Sequence, residues 1–312
     1  MKRRMFRVRI VLILLLAACD GPPPATPEQG ARELIDAIGR PVSVPQAAQR
    51  VVALSELDLD AALALGLRPV GASNGRGSQH PPRYLGERVN GIDSVGDFAQ
   101  PSLDRIVALR PDLILAGGQS DPAFLEQLRA IAPTIVSFYP GEHWQDSVRR
   151  IADAVGRQQA GSQVLEEYRT LAARLREQLK THWGESVSIV RLTPNGPMYM
   201  LGDAFAGRVL TDLGLTRPAA QRQPGAGHGA PLSREVLADI DGDWLFIGNF
   251  APDPRGVAAL RDEPAFAELR AARLHRVREV DAALWTVIGG PLAAKTLLED
   301  VVSAFDAVES GS

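Results

Sequence analysis

One serine stands in a pattern associated with nucleophilic catalysis. Residues 71–75 (GASNG) match the nucleophile elbow of α/β-hydrolases and follow an apolar run. That elbow requires a helix directly after the serine, whereas residues 76–83 contain a glycine and two consecutive prolines, which break helices. A secreted hydrolase that uses Ser73 is therefore kept only as the alternative from a different functional class.

Two other catalytic patterns fail at single features. Residues 289–296 (GGPLAAKT) end like a phosphate-binding loop, but Ala294 stands where a second glycine must let the backbone wrap around a phosphate. The five histidines show neither an HExxH motif nor the spacing of paired metal ligands. They are His80, His143, His182, His228 and His275. We therefore predict a protein that is not an enzyme and holds no metal or cofactor of its own.

Arg191 carries a charge inside an apolar run that is predicted to be a strand. A buried charge without a partner is costly, so this guanidinium needs an explanation. A bound anion such as a catecholate or a carboxylate would supply one if the strand ends at a cleft. An internal salt bridge would supply another, and the sequence leaves both open.

Cys19 is the only cysteine, and its surroundings indicate lipid attachment. A basic leader (residues 2–9), an apolar run (10–16) and two alanines precede it, as in a secretory signal. The run is too short to span a bilayer, which takes about 20 residues. Residues 16–19 (LAAC) resemble the lipobox of bacterial lipoproteins, so we expect a signal peptide over 1–18 and a lipid anchor on Cys19. The alternative is a soluble secreted protein with an incidental cysteine.

Composition and charge narrow the remaining possibilities. With 45% hydrophobic residues among 312, a large core is possible without disulfides. The net charge is −3, and removal of the five positive leader residues gives −8 for the mature chain, which argues against a nucleic-acid partner. Residues 21–29 (GPPPATPEQ) are rich in proline, so residues 19–32 are predicted to be a lipidated cysteine and a flexible tether.

The body of the chain alternates strand and helix patterns, which indicates a mostly parallel α/β sheet whose ligands bind beyond the carboxyl ends of the strands. Ser55 is predicted to cap the helix after the first strand, with Asp58 completing a capping box. Strands are predicted at 51–54, 69–72, 113–116, 134–138, 187–192 and 244–247, and helices at 101–109, 122–131, 205–213 and 291–308.

The longest helical pattern, residues 158–182, is longer than a crossover helix needs to be. It is interpreted as a stiff spine between two α/β halves, with an ordinary crossover helix as the alternative. The halves also share a short repeat. The serines at 102 and 233 are each followed by an acid two residues later (Asp104, Glu235) and by an aspartate ten residues later (Asp112, Asp243).

These segments carry a family resemblance over nearly the whole mature chain, from about Ile35 to Val308. In order and spacing they are similar to the substrate-binding proteins of bacterial ABC importers for iron-siderophores, haem and cobalamin, the class III periplasmic binding proteins. The segments are 39–42 (GRPV), 50–54 (RVVAL), 62–66 (ALALG), 95–96 (VG), 101–106 (PSLDRI), 109–114 (LRPDLI), 209–215 (VLTDLGL), 232–235 (LSRE), Trp285 and 289–294 (GGPLAA).

The resemblance implies two Rossmann-like lobes, 33–157 and 184–310, joined by one long rigid helix over 158–183, with the ligand cleft between the lobes. It implies capture of a ferric siderophore and its delivery to an ABC permease dimer driven by a cytoplasmic ATPase. Haem and cobalamin are the alternatives within the same fold, and Tyr84, Tyr139 and His228 are candidate axial ligands for haem. We expect a monomer, anchored by lipid outside the cytoplasm at the cell (inner) membrane; in a Gram-negative cell this is the periplasmic space, and the sequence leaves the type of envelope open.

The resemblance also implies two groups of functional residues. One carboxylate on each lobe meets arginines of the permease in this family, and Asp104 and Glu235 occupy those positions; the alternative is helix-dipole stabilisation by first-turn acids. For Trp285 the alternative to ligand contact is core packing, and for His228 it is a plain surface loop. The expected ligand-binding residues are Arg76, Phe98, Gln119 and Tyr139 in the first lobe and Arg191, His228, Asn249, Phe250 and Trp285 in the second.

Overall fold

A computed structural model describes residues 30–232, 237–250 and 255–309, and strands and helices alternate along them. The signal peptide, Cys19 and Glu235 lie outside these residues. The strands are β1 (Arg32–Ile35), β2 (Pro41–Val44), β3 (Val51–Ala53), β4 (Gly71–Asn74), β5 (Asp93–Asp97), β6 (Leu113–Leu115), β7 (Thr134–Ile135), β8 (Val187–Thr193), β9 (Gly196–Tyr199), β10 (Trp244–Asn249) and β11 (Val277–Val280). The helices are α1 (Glu56–Ala64), α2 (Leu103–Ala108), α3 (Pro122–Arg129), α4 (Trp144–Ala154), α5 (Gln158–Gln178), α6 (Phe205–Asp212), α7 (Gly256–Arg261), α8 (Pro264–Ala267), α9 (Arg270–Arg273), α10 (Ala282–Thr286) and α11 (Pro291–Glu309).

Two sheets define two lobes. The N-terminal lobe has five parallel strands in the order β5-β4-β3-β6-β7. The C-terminal lobe has four in the order β11-β10-β8-β9, of which only β9 is antiparallel to its neighbour. The α/β prediction is therefore confirmed. Central strands such as β3 and β6 are buried on both faces, which is why they are short unbroken apolar runs.

Five strands are absent from the sequence prediction: the separate pair β1 and β2, and β5, β9 and β11, which lie at the edges of the two main sheets. β5 (DSVGD) is largely polar, and β9 and β11 are only half-buried. Edge strands do not need two apolar faces, so they lack the continuous run that marks a central strand. The antiparallel pair β1–β2 stands apart from both sheets.

The start of α1 confirms one predicted cap and corrects another. The Ser55 hydroxyl accepts a hydrogen bond from the Asp58 N–H at 3.1 Å, as an N-cap does. The Asp58 carboxylate does not complete a capping box. It is fully buried and instead accepts from the Gly117 N–H at 2.9 Å and from the Ser137 hydroxyl. The carboxylate that would have completed the capping box therefore binds donors that follow β6 and β7 instead.

The long helix α5 spans about 31 Å at 1.5 Å per residue and is followed by a 3₁₀ turn over Lys180–His182. It packs against α4 and α11, and the Tyr168 hydroxyl donates to Asp212 of α6 at 2.6 Å. One hydrophobic cluster contains Val51 of the first sheet, Leu165 of α5 and Ile189 of the second. Across the described ranges, no helix is long and apolar enough to cross a membrane.

The short repeat has the same structural meaning in both lobes. Asp112, directly before β6, accepts from the Arg50 N–H at 3.0 Å, where β3 begins. Asp243, directly before β10, accepts from the Ser186 N–H at 2.8 Å, where β8 begins. Each aspartate therefore joins the starts of two adjacent parallel strands.

Asp58 and Asp60 predict an unusual dependence of stability on pH. Burial raises the pKa of each to about 6. Such a carboxyl binds its proton more tightly in the folded chain, so its stabilising contribution is complete below the ordinary pKa of 3.8 and is lost as the pH rises through about 6. From about pH 7.5 to about pH 5 we expect each to add roughly 1 to 2 kcal/mol to the free energy of unfolding.

The test measures the free energy of unfolding by urea, at both pH values, for the native protein and for the Asp58→Asn, Asp60→Asn double variant. Both proteins keep His143, whose pKa burial lowers and which acts in the opposite direction over this range. The difference in unfolding free energy between native protein and variant should grow in favour of the native protein at the lower pH. A constant or shrinking difference would contradict the assignment.

Candidate ligand-binding site

A cavity of about 300 Å³ lies between the two lobes. On the N-terminal side it is lined by residues that follow β4, β5, β6 and β7, namely Arg76, Phe98, Gly118 and Phe138. On the C-terminal side it is lined by Arg191 of β8, the start of α6, the loop at 226–228 and the segment 285–288. The first four positions all follow the carboxyl ends of parallel strands, where α/β sheets bind ligands.

Arg76 forms part of the N-terminal wall and is held by α1. Its backbone N–H donates to Glu56 Oε1 at 2.8 Å, and the Nε of its side chain lies 3.9 Å from Glu56 Oε2. Its Cζ lies 4.0 Å above the centre of the Phe98 ring. Because the ring holds the face of the guanidinium, the N–H edge is the part that a ligand can reach.

Arg191 forms part of the opposite wall, and its Cζ lies 4.3 Å above the Phe250 ring. Its Nε is buried without a hydrogen-bond partner. Burial and then repulsion by Arg76 lower its pKa, against a smaller opposing effect of Glu56. Among the described residues no carboxylate forms an ion pair with Arg191, so the salt-bridge interpretation has no partner there.

The other charged groups of the cavity are paired. Arg208 Nη2 lies 3.2 Å from Asp203 Oδ1 and also donates to the Gly141 carbonyl of the N-terminal lobe at 3.1 Å. Burial alone would raise the pKa of Glu142, but its two-pronged pair with Arg150 lowers that pKa overall. Since both acids of the wall are engaged and Arg191 is not, the cavity presents net positive charge.

Trp285 belongs to the core as well as to the cavity wall. It is only 1% exposed, stacks on Phe246 with ring centres 4.4 Å apart, and donates from its indole N–H to Asp300 at 3.0 Å. The apolar lining also includes Trp144 and Phe205, whose rings meet edge to face at 5.8 Å. Neither of these two was predicted.

The remaining predicted ligand residues separate into two groups. His228 lines the cavity, with Nδ1 3.2 Å from the Gly229 carbonyl. The Gln119 amide donates to the Phe98 carbonyl at 3.0 Å and lies outside the cavity, as do Tyr139, which is 59% exposed, and Asn249 at the end of β10. Phe250 does not line the cavity either but supports Arg191.

The residues singled out for other chemistries lie away from the cavity in the described ranges, with one exception. Ser73 is buried within β4, and residues 75–82 form turns rather than the helix of a nucleophile elbow. Tyr84 is likewise away from the cavity, beside Asp60, so of the haem candidates only His228 lines it. This part of the chain contains no cluster of metal-binding side chains.

Asp104 is exposed in the first turn of α2 and lines a separate groove of about 540 Å³ with Gln119, Asp121 and Phe124. Ser102 caps this helix by accepting from the Arg105 N–H at 3.4 Å. The second predicted docking acid, Glu235, lies outside the described residues, so the acid pair remains a prediction.

Comparison with known proteins gives concordant matches. Residues 29–284 match the family model described as periplasmic binding protein. The chain is 31% identical to the achromobactin-binding periplasmic protein of Dickeya dadantii, over 81% of this chain and 85% of that protein. It is 27% identical to the Fe(3+) dicitrate-binding periplasmic protein FecB of Escherichia coli, over 82% of this chain and 85% of that protein.

A solved structure, Staphylococcus aureus SirA complexed with staphyloferrin B, has the same fold. It aligns with a TM-score of 0.77 at 22% identity, over 88% of this chain and 98% of that chain. The two-lobe prediction is therefore confirmed.

The unpaired guanidinium of Arg191 predicts that one substitution will stabilise the ligand-free protein. Arg191→Met removes a buried charge while keeping an apolar stem, so the free energy of unfolding should rise by about 1 kcal/mol or more. Urea unfolding of the native protein and the variant measures this difference in free energy. The control Arg76→Met leaves the buried Glu56 without its cation and should give no gain. A loss of stability in the Arg191 variant would show that its charge is satisfied after all.

Proposed function

This chain belongs to the periplasmic binding protein family, and from that membership we propose that it captures a ferric siderophore outside the cytoplasm and delivers it to an ABC permease for iron uptake. Relatives named for achromobactin and for Fe(3+) dicitrate support this ligand class. The observation that carries the proposal is the unpaired guanidinium of Arg191 on a cavity between two lobes.

The charge of the cavity favours a chelate that carries carboxylates. Arginine edges bind carboxylate oxygens in pairs, and Arg76 and Arg191 are each held by an aromatic ring beneath the guanidinium face. Citrate, named in one relative's ligand, is such a carboxylate. The iron arrives inside its chelator as cargo, so the protein needs no ligands to it. None of the relatives named above is described by haem or cobalamin.

The proposed cycle consists of capture, docking and release, without a chemical step. A lipid on Cys19 and the segment up to about residue 29 would keep the monomer near its permease and raise the effective concentration of one for the other. Asp104 and Glu235 would set the docking orientation by meeting basic residues of the permease. Release would follow permease movement driven by the cytoplasmic ATPase.

Titration with ferric citrate tests the ligand. Tryptophan fluorescence should be quenched, since Trp144 and Trp285 line the cavity. Arg191→Met should weaken binding by about tenfold or more, because one charge-assisted contact is lost. Arg174→Met, an equal loss of charge on the exposed face of α5, should leave affinity unchanged. Silence of the native protein across ferric carboxylate, hydroxamate and catecholate chelates would exclude the proposal.

Charge reversal tests docking separately from capture. The Asp104→Lys, Glu235→Lys variant should bind its chelate with normal affinity but support much less uptake of radiolabelled iron by cells, because like charges then face the permease. Glu166→Lys, on the exposed face of α5, is the matched control and should transport normally. If the double variant loses affinity instead, the two acids belong to the ligand site.

A further inference from the structure

Asp60 makes a contact between the lobes outside the ligand cavity. It lies on α1 of the N-terminal lobe and is completely buried. Its carboxylate reaches the C-terminal lobe, where Oδ1 accepts from the Leu292 N–H at 2.9 Å and Oδ2 from the Ala293 N–H at 2.8 Å. Both donors lie in the first turn of α11, whose N–H groups have no partner within the helix. The negative charge also suits the positive end of the helix.

The fit between Asp60 and the start of α11 is close. A Cβ atom at Gly290 would lie 2.5 Å from Asp60 Oδ1, so only glycine allows this approach. A Cβ at Gly289 would lie 2.4 Å from that of Ala293. The residues just before these glycines, 285–288, line the ligand cavity. The position of that wall is therefore coupled to α1 through the Asp60 carboxylate, in addition to the packing of α11 on α1.

The same face of α1 also holds the opposite wall. Glu56 lies one helical turn before Asp60, and residues four apart share a helix face. Glu56 accepts from the Arg76 N–H on the N-terminal side of the cavity. One face of one helix thus contacts the segments that form both walls.

We propose that Asp60 is a positioning residue for the ligand site. Its carboxylate clamps α11 of the C-terminal lobe to α1 of the N-terminal lobe and sets the width of the cavity between them. The structural part of this proposal stands on the contacts alone. Its effect on ligand binding rests on the proposed function.

Asp58 provides a matched control on the same helix. It is also a completely buried carboxylate whose pKa is raised to about 6, and it too accepts from a backbone N–H. Its partners, Gly117 and Ser137, both belong to the N-terminal lobe. Asp58→Asn and Asp60→Asn therefore remove the same charge from similar surroundings, but only the second breaks a contact between lobes.

The test measures the distance between the lobes without ligand. Spin labels go on cysteines placed at Gln127 of α3 and Ala259 of α7, both exposed, in the chain with Cys19→Ser. Pulsed electron paramagnetic resonance should give a broader distance distribution for Asp60→Asn than for the native protein, and a native-like one for Asp58→Asn. An unchanged distribution in Asp60→Asn, or equal broadening in both variants, would overturn the proposal.

Gly290→Ala is a second variant that keeps the carboxylate but forces α11 away from it. It should broaden the distribution in the same way, and it decides the question if Asp60→Asn does not fold. A native distribution in Gly290→Ala would count against the clamp.

Ferric citrate is the probe for the functional consequence. Its dissociation should be about tenfold faster from Asp60→Asn than from the native protein, because a preorganised site is lost, and unchanged from Arg174→Met on the exposed face of α5. Equal rates in the native protein and Asp60→Asn would remove the role in ligand binding. If the native protein bound no ferric chelate, the proposed function would fail while the distance measurement would still decide the clamp.

Discussion

The burial of three carboxylates on α1 is the constraint around which the site is built. Glu56, Asp58 and Asp60 are almost completely excluded from water, which is costly for an acid unless donors surround it. The donors are backbone N–H groups of Arg76, Gly117 and the first turn of α11. Each belongs to a segment that lines or adjoins the cavity. Burial raises the pKa of Asp58 and Asp60 by more than these hydrogen bonds lower it.

Whereas the acids of α1 are surrounded by hydrogen-bond donors, the cavity contains a cation without a counter-ion. Arg191 is half-buried against Phe250 with its Nε unpartnered, while Arg76 is the cation nearest to Glu56. An empty site with an unpaired, half-buried cation is less stable than a site in which that cation has a counter-ion. An anionic ligand supplies the counter-ion, so binding restores the lost stability. This is the trade between stability and function that binding sites commonly show.

The sequence predicted what depends on local pattern. Central strands, the long helix and the family resemblance follow from apolar runs and short motifs, and Arg191 was recognisable because a lone charge interrupts an apolar strand. The acids of α1 were not recognisable as structural. Their partners lie 20, 59 and 232 residues away. Locally, Glu56 and Asp58 look like ordinary first-turn acids, and Asp60 looks like a polar position on the same helix. Trp144 was missed for a related reason. Helix α4 was not predicted, and the orientation that brings Trp144 to the cavity depends on the packing of α4 against α5.

The two lobes share the way their sheets are joined but differ directly after their first central strand. Asp112 and Asp243 connect neighbouring strands in the same manner. In the N-terminal lobe β3 leads into α1, whereas in the C-terminal lobe β8 leads into the antiparallel strand β9. The C-terminal lobe therefore has no helix in the place where α1 carries its acids. The first turn of α11 takes its acceptor from the other lobe, so the Asp60 carboxylate adds a polar link to the apolar packing that joins the two halves.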